Sequence, residues 1–103
     1  MRAQARDVRA QYAELEQVRH GRSWSTEEVM LGLVGDVGDL AKLVQAKAGV
    51  REHPDLDPAL AHELADCLWA VLTLAEAYEV DLESAFTDTM AGLTAHLTAE
   101  LRP

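Results

Sequence analysis

A single cysteine, Cys67, stands in the 103 residues, so no disulfide can form within the chain. A lone thiol suits a reducing compartment, and the cytoplasm is the expected location. Basic residues are also scarce. Nine Lys and Arg face eighteen Asp and Glu, for a net charge of -9 and a pI near 4.7. A protein that grips a nucleic-acid backbone needs a basic surface, so polymeric DNA or RNA is excluded as a partner. Long apolar runs are missing too: charges interrupt each one, no signal peptide is legible, and no membrane partner is expected. There is no Gly-rich phosphate loop, zinc-ligand spacing, nucleophile motif, repeat or low-complexity tract. Aromatics number five within a 49% hydrophobic content dominated by Ala, Leu and Val. Long helices are the natural expectation, and helices with several apolar faces invite oligomerisation.

What is present is one small domain, residues 1–103, arranged around two acidic steps in otherwise apolar helix. Asp36-x-x-Asp39 lies in VMLGLVGDVGDLAKLV, where Lys42 is the only other charge, and Glu63-x-x-Asp66 lies in LAHELADCLWAVLTLA. Residues three apart share a helix face, so each pair presents two carboxylates side by side. Carboxylates at such spacing often form only a solvated face. Here, however, Asp36 falls between Val29, Leu40 and Leu43 on the helical wheel, and an ionised group in apolar surroundings needs a partner. Two packed helices would bring four carboxyl groups together with almost no basic side chain to neutralise them. Hard divalent cations take all-oxygen sites, so Asp36, Asp39, Glu63 and Asp66 are read as a magnesium site, with manganese the alternative.

Along the chain, Val8, Tyr12, Leu15 and Val18 predict a first helix over Arg2 to His20, ended by Gly21. Arg2, Arg6 and Arg9 share one of its faces, either to meet phosphate or to pair with acids. Ser25-Thr26-Glu27-Glu28 is a capping box that starts helix two, which runs to about Ala48. Trp24 precedes the cap and is either a staple on the first turn or a stacking surface for a nucleobase. Gly32, Gly35 and Gly38 each cost about 1 kcal/mol of helix propensity, which implies close approach by another helix or by a ligand. The core face of this helix is expected at Met30, Leu33, Val37, Leu40 and Val44. Gly49 to Asp57 forms a loop, with Lys47, Arg51 and His53 near enough to reach a ligand. Asp57-Pro58 is read as the N-cap and first residue of helix three, extending to about Tyr78. His62 is read as a surface residue, and Trp69 and Cys67 as packing residues. Helix four begins near Asp81 with Leu82, Phe86, Met90, Leu93 and Leu97 on one stripe. The fold is an all-α four-helix unit that completes a helical bundle by oligomerisation.

Laid out this way, the chain resembles the all-α nucleoside triphosphate pyrophosphohydrolases, the MazG-like and dCTP pyrophosphatase group. LVGDVGDLAKL is similar to that family's LVGEVGELAEL, HELADCLW to its EELSDVL, and VDLESAF to the start of its last helix. The similarity covers about residues 24 to 93. It implies a magnesium-dependent enzyme converting a nucleoside triphosphate, non-standard or deoxy ones included, to the monophosphate and pyrophosphate. It also implies a homodimer or homotetramer. By the same resemblance Asp36, Asp39, Glu63 and Asp66 are both the metal ligands and the catalytic groups, with Lys47 the candidate phosphate contact and Trp24 the candidate base contact. Three departures stand out. Aspartates replace both glutamates of the first motif. Thr89, Leu93 and His96 fill the positions of the family's Lys, Asn and Arg on the last helix. Gln45-Ala46-Lys47 lacks the tryptophan of a Gln-Trp-Lys run. A catalytically degenerate helical dimer that keeps the metal and nucleotide pocket is the alternative these departures support.

Overall fold

Four helices and no strand make up the computed structural model, which describes all 103 residues: α1 (Arg2–His20), α2 (Thr26–Lys47), α3 (Leu56–Ala77) and α4 (Leu82–Glu100). Gly21 closes α1 in the left-handed region, at φ 73°, where its N–H donates to the Gln17 carbonyl. Only a residue without Cβ adopts that geometry freely. The expected capping box opens α2: the Glu28 N–H donates to Ser25 Oγ at 3.2 Å, and the Ser25 N–H donates to Glu28 Oε1 at 3.1 Å. The Arg22 guanidinium clamps both oxygens of Glu28, at 2.6 and 3.1 Å. At α4, the Ser84 N–H donates to the Asp81 carboxylate at 3.2 Å.

The start of α3 differs from expectation. The helix begins at Leu56, after Asp55 in the left-handed region, and Asp55 makes no side-chain cap. Pro58 thus falls third in the helix, where its missing N–H is no loss because the first turn has no intrahelical acceptor. Asp57, released from capping, instead accepts from Lys47 at 2.7 Å.

Helices α2 and α3 lie antiparallel and form the main contact, with α1 laid against α3. Val29, Leu43 and Ala46 of α2, Ala70 and Thr73 of α3, and Ala5 of α1 are the buried residues. Trp69 ties α1 down: its indole N–H donates to the Ala5 carbonyl at 3.2 Å, and its ring meets Tyr12 edge-on at 5.5 Å. Trp69 is therefore a packing residue, as its position suggested.

The core face of α2 is the expected one only in part, with Leu33 and Leu40 half-buried as expected. Met30, Val37 and Val44 are 46%, 51% and 54% exposed. The covered stripe joins Val29, Asp36 and Leu43 to Leu33 and Leu40. Both stripes have helical spacing. The sequence pattern alone could not say which one the neighbouring helix covers, and the one carrying Asp36 wins.

Helix α4 stands apart from the other three. Except for Leu82, every residue of it is exposed, Phe86 at 62% and Leu97 at 57%. The molecule is accordingly long, 62 × 39 × 21 Å, with a radius of gyration of 17.5 Å. A globular chain of this length has about 13 Å. The apolar stripe of α4 and the outer stripe of α2 are both left open.

Candidate functional site

Asp36 and Asp39 project from one face of α2, and Glu63 comes to them from α3. One carboxylate oxygen from each lies within 4.8 Å of the other two. Asp36 reaches this place because it sits in the α3-facing stripe, and Asp39 follows three residues later on the same side. Glu63 Oε1 is shielded from solvent and has no hydrogen-bond partner. Burial pushes the Glu63 carboxyl above its ordinary range. The nearby charges of Asp36, Asp66 and Asp39 push it further the same way.

Such a cluster fits a divalent cation. Oxygens on opposite sides of a magnesium ion stand about 4.2 Å apart, so three oxygens this close need only small side-chain adjustments to share one. The shielded, unpartnered Glu63 oxygen is an acceptor that no protein donor serves, and a cation held with Asp36 and Asp39 would satisfy it. Asp66 lies one turn further along α3, and its carboxylate is 3.2 Å from His62 Nε2 rather than within the group of three. Burial and then the charges of Asp36, Glu63 and Asp66 raise the Cys67 thiol above its ordinary range.

Trp24 stands at one end of the same α2 face. Its ring edge passes 3.6 Å from the point where a Cβ would stand on Gly32, while 44% of the residue stays exposed. It is therefore packed on one side and open on the other. Gly35 and Gly38 face open space, so of the three glycines only Gly32 is closely approached within the chain. The backbone of Trp24 is held by α1: its N–H donates to Glu16 Oε1 at 2.7 Å and its carbonyl accepts from Arg9.

The model of the MazG nucleotide pyrophosphohydrolase domain matches residues 24–96, from Trp24 through most of α4. The chain belongs to this family. All four motif carboxylates and Trp24 lie inside the matched segment of the MazG domain, and α1 lies outside it. The chain is also 34% identical over 90 residues to dCTP pyrophosphatase 1 of Mus musculus, a match over 82% of this chain and 53% of that protein. It thus spans about half the length of the curated relative it matches. No solved structure matches the chain.

Beside the acidic cluster of the MazG domain opens a cavity of about 300 Å³, lined by Asp39, Lys42, Leu43, His53, Ala59, His62 and Glu63. Lys47, the basic residue singled out from sequence, is not in this lining and is paired with Asp57. Lys42 and His53 are there instead. The signal for Lys42 was legible, since it lies three residues past Asp39 on the same helix face. The basic strip of α1 has a different use. Arg2 and Arg6 pair with Glu76 at 3.5 and 3.0 Å, and Arg6 holds the Glu76 carboxyl below its ordinary range. Arg9 pairs with Glu16 at 3.7 Å. Of the two readings of that strip, the pairing face is the one the contacts support. No helix is long and apolar enough to cross a membrane.

Proposed function

We propose that this MazG-family chain is a nucleoside triphosphate pyrophosphohydrolase that uses magnesium, or manganese, to convert a deoxy- or ribonucleoside triphosphate and water to the monophosphate and pyrophosphate. The observation that carries the reading is the convergence of Asp36, Asp39 and Glu63 oxygens within 4.8 Å, beside an open cavity. Asp36, Asp39 and Glu63 would hold the cation, and Asp66, one turn further along α3, would add a fourth carboxylate beside them. When bound, the cation draws charge from the phosphate oxygens and acidifies water.

The protein's own groups do the rest. A carboxylate of the cluster orients the attacking water and accepts its proton. The water oxygen bonds to the α-phosphorus, the bond from that phosphorus to the bridging oxygen breaks, and pyrophosphate leaves with the electron pair. The open face of Trp24 is the stacking surface for the base. The single MazG-like domain is proposed to act in the cytoplasm on the nucleotide pool, clearing non-standard nucleotides. A homodimer or homotetramer covers the open stripes of α2 and α4, since exposed apolar surface of this extent marks an interface.

A second reading, a degenerate dimer that binds metal and nucleotide without turnover, draws on Thr89, Leu93 and His96, none of which offers a fixed positive charge. One assay separates the two: release of pyrophosphate against orthophosphate from a panel of normal and modified nucleoside triphosphates, with magnesium or manganese. Metal-dependent pyrophosphate release, abolished in Asp39→Asn, supports the enzyme. No turnover of any nucleotide, with metal still raising the melting temperature, supports the degenerate dimer.

A further inference from the structure

Along α2 come, in successive turns, Gly32 beneath Trp24, then Asp36 and Asp39, then Lys42, which shares the cavity lining with Asp39. At 1.5 Å per residue these steps span about 15 Å from Gly32 to Lys42. The sequence of chemistries along that line is an aromatic surface, a set of metal-competent carboxylates, and a cation. Such an order matches a nucleotide laid lengthwise, base first and polyphosphate last.

The far end of the line is an open depression in the surface. Lys42 and His53 line the 300 Å³ space that also touches Asp39 and Glu63. The basic groups near it differ in their freedom. Lys47 is bound to Asp57 at 2.7 Å and His62 to Asp66 at 3.2 Å. Lys42 has no acidic partner within 4.0 Å, in a chain with twice as many acids as bases. His53, in the loop between α2 and α3, has its ring fixed by a hydrogen bond between Nδ1 and the Pro54 carbonyl oxygen. Helix α4 stands away from this groove, so within the protomer Lys42 of α2, His53 of the α2–α3 loop and the Asp66-paired His62 of α3 are the donors that line it.

We infer that Lys42, with His53 beside it, receives the β- and γ-phosphates of the substrate and holds them as the pyrophosphate leaving group. The inference rests on the pyrophosphohydrolase reading and adds a polarity to it: the base lies toward Trp24 and the leaving group toward the α2–α3 loop. Three or four negative charges on that half of the substrate exceed what a cation shared with three carboxylates neutralises. An unpaired ammonium one turn from Asp39 supplies the missing charge as a point donor. Lys42 is a substrate-contacting group here and transfers no proton.

The test uses the full chain and inorganic pyrophosphate. Its binding in millimolar magnesium is measured by calorimetry, alongside kcat and KM for pyrophosphate release, in the wild type and in Lys42→Met, Lys42→Arg, His53→Asn and Arg19→Gln. Lys42→Met is expected to weaken pyrophosphate binding and raise KM by roughly tenfold or more, the loss typical of a charge-assisted hydrogen bond. Lys42→Arg is expected to restore most of it, and His53→Asn to show a smaller loss. The rise in melting temperature with magnesium alone should be the same in Lys42→Met as in the wild type, which shows the variant folded with its acidic cluster intact. Arg19→Gln, which removes one positive charge far from the groove, should change nothing. Wild-type turnover with Lys42→Met equal to it in pyrophosphate affinity and KM overturns this inference alone, as does an equal loss in Arg19→Gln. A wild type that neither turns over nucleotides nor binds pyrophosphate overturns the parent reading with it.

Discussion

The ring of Trp24 lies over Gly32, with Cζ3 3.6 Å from where a Cβ would stand. That distance is ordinary van der Waals contact, so a methyl group fits. Gly32→Ala is therefore expected to stabilise α2 by up to about 1 kcal/mol through helix propensity. The melting temperature should rise by roughly 4–8 °C, read by thermal denaturation. Trp24→Ala is expected to leave metal binding unchanged and to raise KM by tenfold or more, since stacking on a base contributes about 1–3 kcal/mol.

Glu63 sits in a group of like charges with one oxygen shielded and unpartnered. Because its folded pKa is raised, ionising it costs stability as pH climbs from the ordinary value through the raised one. Glu63→Gln removes that cost, so the metal-free variant is expected to melt a few degrees higher than the wild type at pH 7. The same variant should lose the stabilisation that millimolar magnesium gives and should lose activity by 100-fold or more, beyond the roughly 10- to 100-fold of an outer-shell change. A metal-free variant that melts lower than the wild type would contradict the placement.

Glu28 gives the opposite pH dependence. The Arg22 hydrogen bond, then that from the Ser25 N–H, hold its carboxyl at about 2 against an ordinary 4.5. A depressed carboxyl adds stability above its unfolded value and loses it as pH falls from 4.5 toward 2. Glu28→Gln is expected to be less stable than the wild type at pH 7. Denaturant midpoints of the two proteins should converge as the pH approaches 2.

Phe86, Leu93 and Leu97 line the open stripe of α4. At micromolar concentration the wild type is expected to sediment as a dimer or tetramer. Phe86→Glu, which puts a charge into the covered stripe, should shift it toward the monomer and lower its melting temperature. A folded wild-type monomer at that concentration would remove the oligomer from the reading.

Much of this architecture is legible in the residues because local signals are strong. The Ser25/Glu28 box, the Gly21 stop and the Asp81 cap are fixed by hydrogen bonds within one turn, and the helices they delimit form where the pattern puts them. The acidic pairs are legible for the same reason, since three-residue spacing settles which side chains share a face. What depends on neighbours is less so. α2 carries two overlapping apolar stripes that share Leu33 and Leu40, and the choice of Val29 and Leu43 over Met30, Val37 and Val44 is made by α3. Asp57 reads as a cap, yet a left-handed Asp55 starts α3 earlier and gives Asp57 to Lys47. That exchange takes Lys47 out of the cavity and leaves Lys42 as its free cation, an outcome set by a loop conformation that no periodicity encodes.

Helix α1 holds Trp24 by both backbone groups, through Glu16 and Arg9, yet α1 lies outside the segment matched to the MazG domain. The two halves of the work are thus written in separable parts of the chain. The acids belong to the α2–α3 hairpin, whereas the backbone of the aromatic residue is held by Arg9 and Glu16 of α1. Under the proposed function, in which Trp24 stacks on the base, sequence drift or deliberate grafting in α1 is expected to turn the ring and retune base choice while the carboxylates stay where they are. A library randomised at the α1 contacts to Trp24 is the natural starting material for redirecting substrate choice.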